Sequence, residues 1–160
     1  MTAGIVGREK DDYMGGAWGP QEIKYWDLDH SIADPRGRAS GAEACYSGGV
    51  VKSKGSPARY TPPGFVSGVH DRGHLIAGTR LGGSGVDPRN ITPVFTKVVN
   101  QSAQYHGVEK YVADRVASGD DVYYRVEPRY RPGAEVPYET DHVVASSSVG
   151  VVHIVVKNVP

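Results

Sequence analysis

Residues 71–93 read DRGHLIAGTRLGGSGVDPRNITP, a segment in which short apolar runs alternate with glycine-rich turns. Asp71, Arg72, Gly73 and His74 place a carboxylate, a cation and an imidazole within four residues. Glycine allows the backbone to approach a ligand closely, and a neutral imidazole can take a proton from water near pH 7. Taken alone, such a four-residue pattern indicates a surface turn more often than a catalytic site. A functional interpretation therefore depends on the other motifs of the chain.

A helix is predicted downstream of this segment, from about Asn100 to Gly119. Glycine commonly follows the last residue of a helix. Apolar residues recur at spacings of three and four and predict one buried face, formed by Tyr105, Val108, Val112 and Val116.

Strands are predicted on both sides of this central region. Three β-rich segments follow the helix, at residues 122–128, 139–145 and 150–156. Upstream, residues 38–47 and 48–54 predict two short strands joined by a glycine turn, and a proline-containing loop leads into a strand at the histidine motif. The predicted fold class is α+β, a mainly antiparallel sheet with one long helix and two long loops on one side.

Length and composition favour one globular domain of 160 residues. Residues 1–34 show no sustained helical or strand period, so we expect an N-terminal arm or linker there and a folded domain over residues 35–160. The single cysteine, Cys45, excludes an internal disulfide. We find no apolar run of about 18 residues for a membrane span, and the first ten residues lack the apolar stretch of a signal peptide.

The net charge of zero hides an uneven distribution. Residues 44–100 carry seven Lys/Arg against two Asp/Glu, a net of +5, whereas residues 1–43 (five against eight) and 101–160 (six against eight) are acidic. Five of the seven cations lie within the span of the motifs or shortly before it, and they are Arg59, Arg72, Arg80, Arg89 and Lys97. Taken alone, this distribution indicates a solvated surface with ordinary scatter more often than a binding site. Beside the motifs, the basic region predicts binding to a nucleic-acid backbone without base readout.

Two further motifs follow the histidine in a fixed order. Asn90-Ile91-Thr92-Pro93 begins sixteen residues beyond His74, and Asn100-Gln101 opens the predicted helix. In this order the chain resembles the DNA/RNA non-specific endonucleases of the ββα-metal (His-Me finger) superfamily, in which a DRGH motif, an NITP-like turn and a helical Asn occur in sequence. The resemblance extends from about Asp34 to the C-terminal VKNVP, and its glycine-rich LGGSG form is most similar to the branch of bacterial secreted toxins.

The resemblance implies a role for each motif residue. His74 would be the general base that activates water, and Arg72 would add positive charge at the phosphate. Asn100 would bind a divalent ion, Mg²⁺ or another such as Mn²⁺, through its amide oxygen. Asn90 would either orient His74 or support the loop around it. Arg59, Arg80, Arg89 and Lys97 would contact nucleic acid.

Glu109 is the candidate for the acid that holds metal-bound water in this family. It lies nine residues after Asn100, one more than the family spacing, and nine steps of about 100° place it on the opposite side of a regular helix. Either Asn100 precedes the first regular turn, or a distortion restores the phase, or Gln101 takes part of the role. The other interpretation of Glu109 is a solvated helix charge.

The sequence therefore predicts a metal-dependent, sequence-non-specific endonuclease of DNA, with RNA as a second candidate substrate. The resemblance implies a toxin module that is secreted or delivered into target cells, with a cognate immunity protein as a candidate partner. The alternative is a catalytically inactive module of the same fold that binds nucleic acid or a partner protein.

Overall fold

The computed structural model describes residues 21–96 and 103–160 and has the predicted α+β fold. Five strands form an antiparallel sheet in the order β1-β2-β5-β6-β7, and β3 and β4 form a separate antiparallel pair. The elements are β1 (Gln21–Tyr25), β2 (Ala42–Tyr46), β3 (His70–His74), α1 (Gly78–Leu81), a 3₁₀ turn (Pro88–Asn90), β4 (Ile91–Phe95), α2 (Ala103–Ala117), β5 (Val122–Arg129), β6 (Glu139–Ser146) and β7 (Gly150–Lys157).

Helix α2 packs one face on the large sheet. Val108, Val112 and Val116 are 3%, 0% and 2% exposed, which confirms the predicted apolar face, while the side chain of Tyr105 lies outside the described residues. Burying a valine side chain stabilises the fold by about 1.5–3 kcal/mol. Gly119 adopts φ +90°, so the predicted glycine at the end of the helix is confirmed.

The β3–β4 pair and α2 together form a ββα unit. In the antiparallel register, His74 at the end of β3 lies opposite Ile91 at the start of β4. The connection over residues 75–90 carries α1 and the 3₁₀ turn, and α2 follows β4 after the undescribed residues 97–102. The predicted NITP turn is therefore the end of the 3₁₀ turn followed by a strand.

The three strands predicted after the helix are confirmed, each with one more residue at its C-terminal end. Val144, at the centre of β6, is fully buried and faces the helix side together with Tyr124 of β5. A smaller cluster, formed by Tyr123, Val143, Ala145 and Val151, is buried on the opposite face. Burial on both faces explains why β6 shows almost no alternation of polar and apolar residues.

Two expectations from the sequence are wrong. The arm expected to be irregular contains β1, which pairs with β2 as the edge strand of the large sheet. The second strand predicted over residues 48–54 does not form, because both edges of β2 are already paired, with β1 and β5. Residues 50–60 instead form a loop that packs against the connection between β3 and β4. The domain boundary at residue 35 remains a prediction.

None of the helices in the described part of the chain is both long and apolar enough to cross a bilayer.

Candidate active site

His74, the last residue of β3, is held by a main-chain oxygen. Its Nε2 lies 2.9 Å from the carbonyl oxygen of Ser56. A carbonyl oxygen can only accept a hydrogen bond, so this contact assigns the proton of the neutral imidazole to Nε2. Nδ1 is then the basic nitrogen of the ring, the form that a general base requires.

The Ser56 carbonyl is positioned by two loops whose backbones are in direct contact. Ser56 donates its N–H to Gly83 O at 3.1 Å, and Gly85 donates its N–H to Ser56 Oγ at 2.7 Å. A Cβ on Gly55 or on Gly85 would lie only 1.8 Å from a carbonyl oxygen of the neighbouring segment. The glycine-rich LGGSG segment therefore serves to bring its backbone close to the loop that orients His74.

Asn90 supports the same connection from inside the protein. It is fully buried, and its Oδ1 accepts from Ile76 N at 2.8 Å. Its Nδ2 donates to Ile76 O at 3.0 Å and to Ser84 O at 2.9 Å. These partners are all main-chain groups of the loop, so the geometry matches loop support, one of the two roles considered for Asn90.

His74 opens onto a cavity of about 350 Å³ between β3, α1 and α2. Glu109 lines the same cavity, with its side chain 17% exposed. Burial raises the pKa of the Glu109 carboxyl, and the nearby His106, Arg80 and His74 partly oppose that rise. The complete lining is Ser56, Pro57, His74, Ala77, Gly78, Thr79, Arg80, His106 and Glu109.

Glu109 therefore lies beside His74, although helix periodicity alone placed it opposite Asn100. His106, one turn earlier on α2, has its Nδ1 3.7 Å from a Glu109 carboxylate oxygen and is a cavity residue that sequence reasoning did not select. Its spacing of three residues from Glu109 was the available signal. A histidine, a carboxylate and a cation at one cavity can exchange a proton with water and stabilise an anionic phosphate.

The cations predicted to contact nucleic acid do not all lie at the cavity. Arg80 lines the cavity and is exposed, and Arg59 is exposed on the loop that carries Ser56. Lys54, on the same loop, is also exposed and was not among the predicted contacts. Arg89 is instead paired with Asp87 at 2.8 Å, an interaction that raises the pKa of its guanidinium.

Arg72 does not line the cavity with His74. Its Nε and one terminal nitrogen donate to Thr61 Oγ1 at 3.2 and 3.0 Å, and its guanidinium lies 4.9 Å above the ring of Phe65. Because side chains two residues apart on a strand share a face, Arg72 remains on the same side of β3 as His74.

Three predicted site residues, Asn100, Lys97 and the alternative ligand Gln101, lie outside the described residues. Within residues 21–96 and 103–160, we find no group of three or more His, Cys, Asp or Glu side chains that could hold a metal ion. The carboxylate of Glu109 is an oxygen donor of the kind that hard cations prefer.

Solved nucleases share this fold at low sequence identity. NucA from Streptococcus agalactiae with no metal bound has a TM-score of 0.65 and 19% identity, over 90% of this chain and 73% of that one. An extracellular endonuclease has a TM-score of 0.63 and 17% identity, over 91% and 82% of the two chains. Sda1 nuclease with bound zinc ion has a TM-score of 0.61 and 18% identity, over 93% and 81%.

Family membership comes from the sequence match. No curated protein matches the chain significantly. The sequence model of the DNA/RNA non-specific endonucleases matches residues 21–147, which span β1 to the end of β6 and include every described residue of the cavity. The chain therefore belongs to the DNA/RNA non-specific endonuclease family.

Proposed function

We propose that the protein is a metal-dependent endonuclease that hydrolyses phosphodiester bonds of DNA without sequence preference, with RNA as a second candidate substrate. One observation supports this most directly. His74 is fixed in the tautomer of a general base by the Ser56 carbonyl, on the wall of a cavity that it shares with Glu109 and Arg80.

The reaction uses the residues of this cavity. Nδ1 of His74 takes a proton from a water molecule as the water oxygen attacks phosphorus. The bond from phosphorus to the leaving 3′ oxygen breaks, and that oxygen takes up a proton from solvent water to form the 3′-hydroxyl. Arg80 places its positive charge beside the phosphate, where negative charge accumulates in the transition state. Asn90 holds the loop from within, and Arg72 contacts a neighbouring phosphate from the same side of β3.

Glu109 is the described carboxylate of this cavity that could support a divalent cation. The partly buried carboxyl of Glu109 has a raised pKa because of desolvation, and a nearby cation would favour its ionised form. Asn100 would bind the ion through its amide oxygen, and Glu109 would hold its water. When bound, Mg²⁺ or Mn²⁺ would supply positive charge that stabilises the leaving oxygen and the pentacoordinate transition state.

The function can be tested by plasmid degradation with Mg²⁺ and with EDTA. Cleavage in Mg²⁺ that stops in EDTA is expected. A protein that binds the plasmid in both conditions without cutting it would instead be the inactive binding module. Secretion, a toxin role and recognition by an immunity protein belong to the same proposal, and a candidate immunity protein would be tested by its effect on cleavage.

Asn100→Ala is expected to raise the Mg²⁺ concentration needed for half-maximal cleavage. A site with one direct protein ligand is weak, and removal of that ligand leaves water in its place. A metal titration of the variant and the wild type measures the shift. If the two titration curves coincide, the ligand is Gln101 or another group on the helix.

Arg80→Ala is expected to flatten the dependence of DNA affinity on salt more than Arg89→Ala does. Each phosphate neutralised on duplex DNA contributes about −0.9 to the slope of log K against log salt concentration. Arg80 lies at the cavity, whereas the charge of Arg89 is already paired with Asp87, so Arg89→Ala is the matched control. Binding titrations between about 50 and 200 mM salt measure both slopes, and equal slopes for the two variants would contradict this assignment.

A further inference from the structure

The outer edge of β4 is closed by a side chain from the C-terminal end of the chain. Asn158 Oδ1 accepts from Phe95 N at 2.9 Å, and Asn158 Nδ2 donates to Pro93 O at 3.2 Å. Main-chain groups two residues apart project from the same edge of a strand. The amide of Asn158 therefore takes the place that a neighbouring strand would occupy along β4.

Asn158 joins three parts of the molecule. It directly follows β7, it is 3% exposed, and its own N–H donates to Tyr138 O at 2.9 Å. Its Nδ2 also donates to Pro137 O at 2.7 Å. With one bond to the side-chain oxygen and one from each amide hydrogen, both donors and one acceptor position of its side chain attach β4 to the large sheet and to residues 137–138.

A second buried amide holds the opposite end of β4. Asn90 immediately precedes Ile91 and is bonded to the loop through three hydrogen bonds, as described above. Strand β4 is thus anchored by an asparagine at each end. Its other edge carries β3, in the register that sets His74 opposite Ile91.

We propose that Asn158 is a positioning residue for the general base, a role that rests on the proposed nuclease function. Asn158 holds β4 against the large sheet, β4 holds β3 through their paired register, and β3 carries His74 to the Ser56 carbonyl and the cavity. Displacement of a catalytic group by about 1 Å can lower a rate about 10²-fold. Asn158 therefore controls turnover although it is not a cavity residue.

The test compares Asn158→Ala and Asn158→Asp with Val144→Ala. The Asn158→Asp variant keeps an acceptor for Phe95 N but loses both donors. Val144→Ala destabilises the fully buried centre of β6, a strand that pairs with β5 and β7 and makes no ladder with β4. Steady-state cleavage is measured at a temperature where circular dichroism shows all proteins folded. Both Asn158 variants are expected to lose about tenfold or more in kcat with KM within about twofold, whereas Val144→Ala keeps a kcat within about twofold of wild type.

Amide hydrogen exchange supplies a readout that does not depend on cleavage. In the Asn158 variants, the amides of Phe95 and of the β3–β4 pair should exchange at least about tenfold faster, while those of the β5–β6 pair remain protected. If neither variant folds, native-state exchange of the wild type in urea replaces them. Phe95 and the β3–β4 amides should then open together, before β5 and β6, and separate opening would overturn the proposal.

Each result has a defined reading. Faster exchange in β3–β4 with unchanged kcat, or equal losses of kcat in the Asn158 and Val144 variants, overturns the positioning role. If the wild type cleaves no substrate, the nuclease function fails, whereas the exchange data still show whether Asn158 holds β4.

Discussion

His74→Ala should lower the rate of DNA cleavage about 10²- to 10⁴-fold, the range typical for loss of a general base. The affinity for DNA should change little, because His74 acts on water and the cations that contact phosphates remain. Single-turnover cleavage and a binding titration of the same variant measure the two quantities separately.

His153→Ala is the matched control. His153 lies on β7 next to Val151 on the face of the large sheet that is directed away from α2, and its ring contacts Asp141. Its removal should leave the rate within about twofold of wild type. A His74 variant that retained more than half of the wild-type rate would exclude it as the base, and a purely structural His74 would show a lower Tm at an unchanged rate.

Glu109→Gln should reduce cleavage about 10- to 100-fold, the loss expected when a residue that supports a metal site is changed. The amide keeps the size of the side chain but removes the negative charge that would hold metal-bound water. Asp114→Asn on the same helix is the control, because Asp114 is an exposed charge paired with Lys110 at 2.6 Å. If both variants cleave at the wild-type rate, Glu109 is only a helix charge.

Glu109→Gln should leave Tm unchanged or raise it at neutral pH. Burial raises the pKa of Glu109 in the folded protein, so the native state binds this proton more tightly than the unfolded state. The stability that binding of this proton contributes is fully present below the pKa that Glu109 has in the unfolded chain. It is lost as the pH rises through the pKa that Glu109 has in the folded protein. Glu109→Gln resembles the protonated form, so its advantage in Tm should disappear as the pH falls. Thermal unfolding of both proteins from about pH 4 to about pH 8 checks this sign.

Periodicity predicted the elements that bury one clear face or consist of β-branched residues. Helix α2 has Val108, Val112 and Val116 on one side, and the valine-rich segments after it became β5, β6 and β7. Strand β1 has five residues, which is too short to establish a period against the irregular sequence around it. The valines of residues 48–54 suggested a strand, but strand formation there required a free neighbour of β2, which only the tertiary structure could exclude.

The candidate site was predictable where its chemistry resides in side chains. The motif selected His74, and the helix position selected Glu109, which lies at the same cavity. The partner of His74 was not predictable, because it is the main-chain carbonyl of Ser56, which every residue type possesses. The phase of Glu109 relative to Asn100 depends on where the helix begins, and Asn100 lies outside the described residues.

The contact between the two glycine-containing loops implies that the orientation of the base depends on positions that carry no side chain. Every residue type at position 56 provides a carbonyl, so a saturation library there should retain active clones of several types, with the highest activity where the side chain still accepts from Gly85 N. The same library at positions 55 and 85 should yield almost no active clones, because a methyl group would meet a carbonyl oxygen at 1.8 Å. A designer who transplants this site into another scaffold should therefore copy the bare backbone at these two positions before copying any polar neighbour of the histidine.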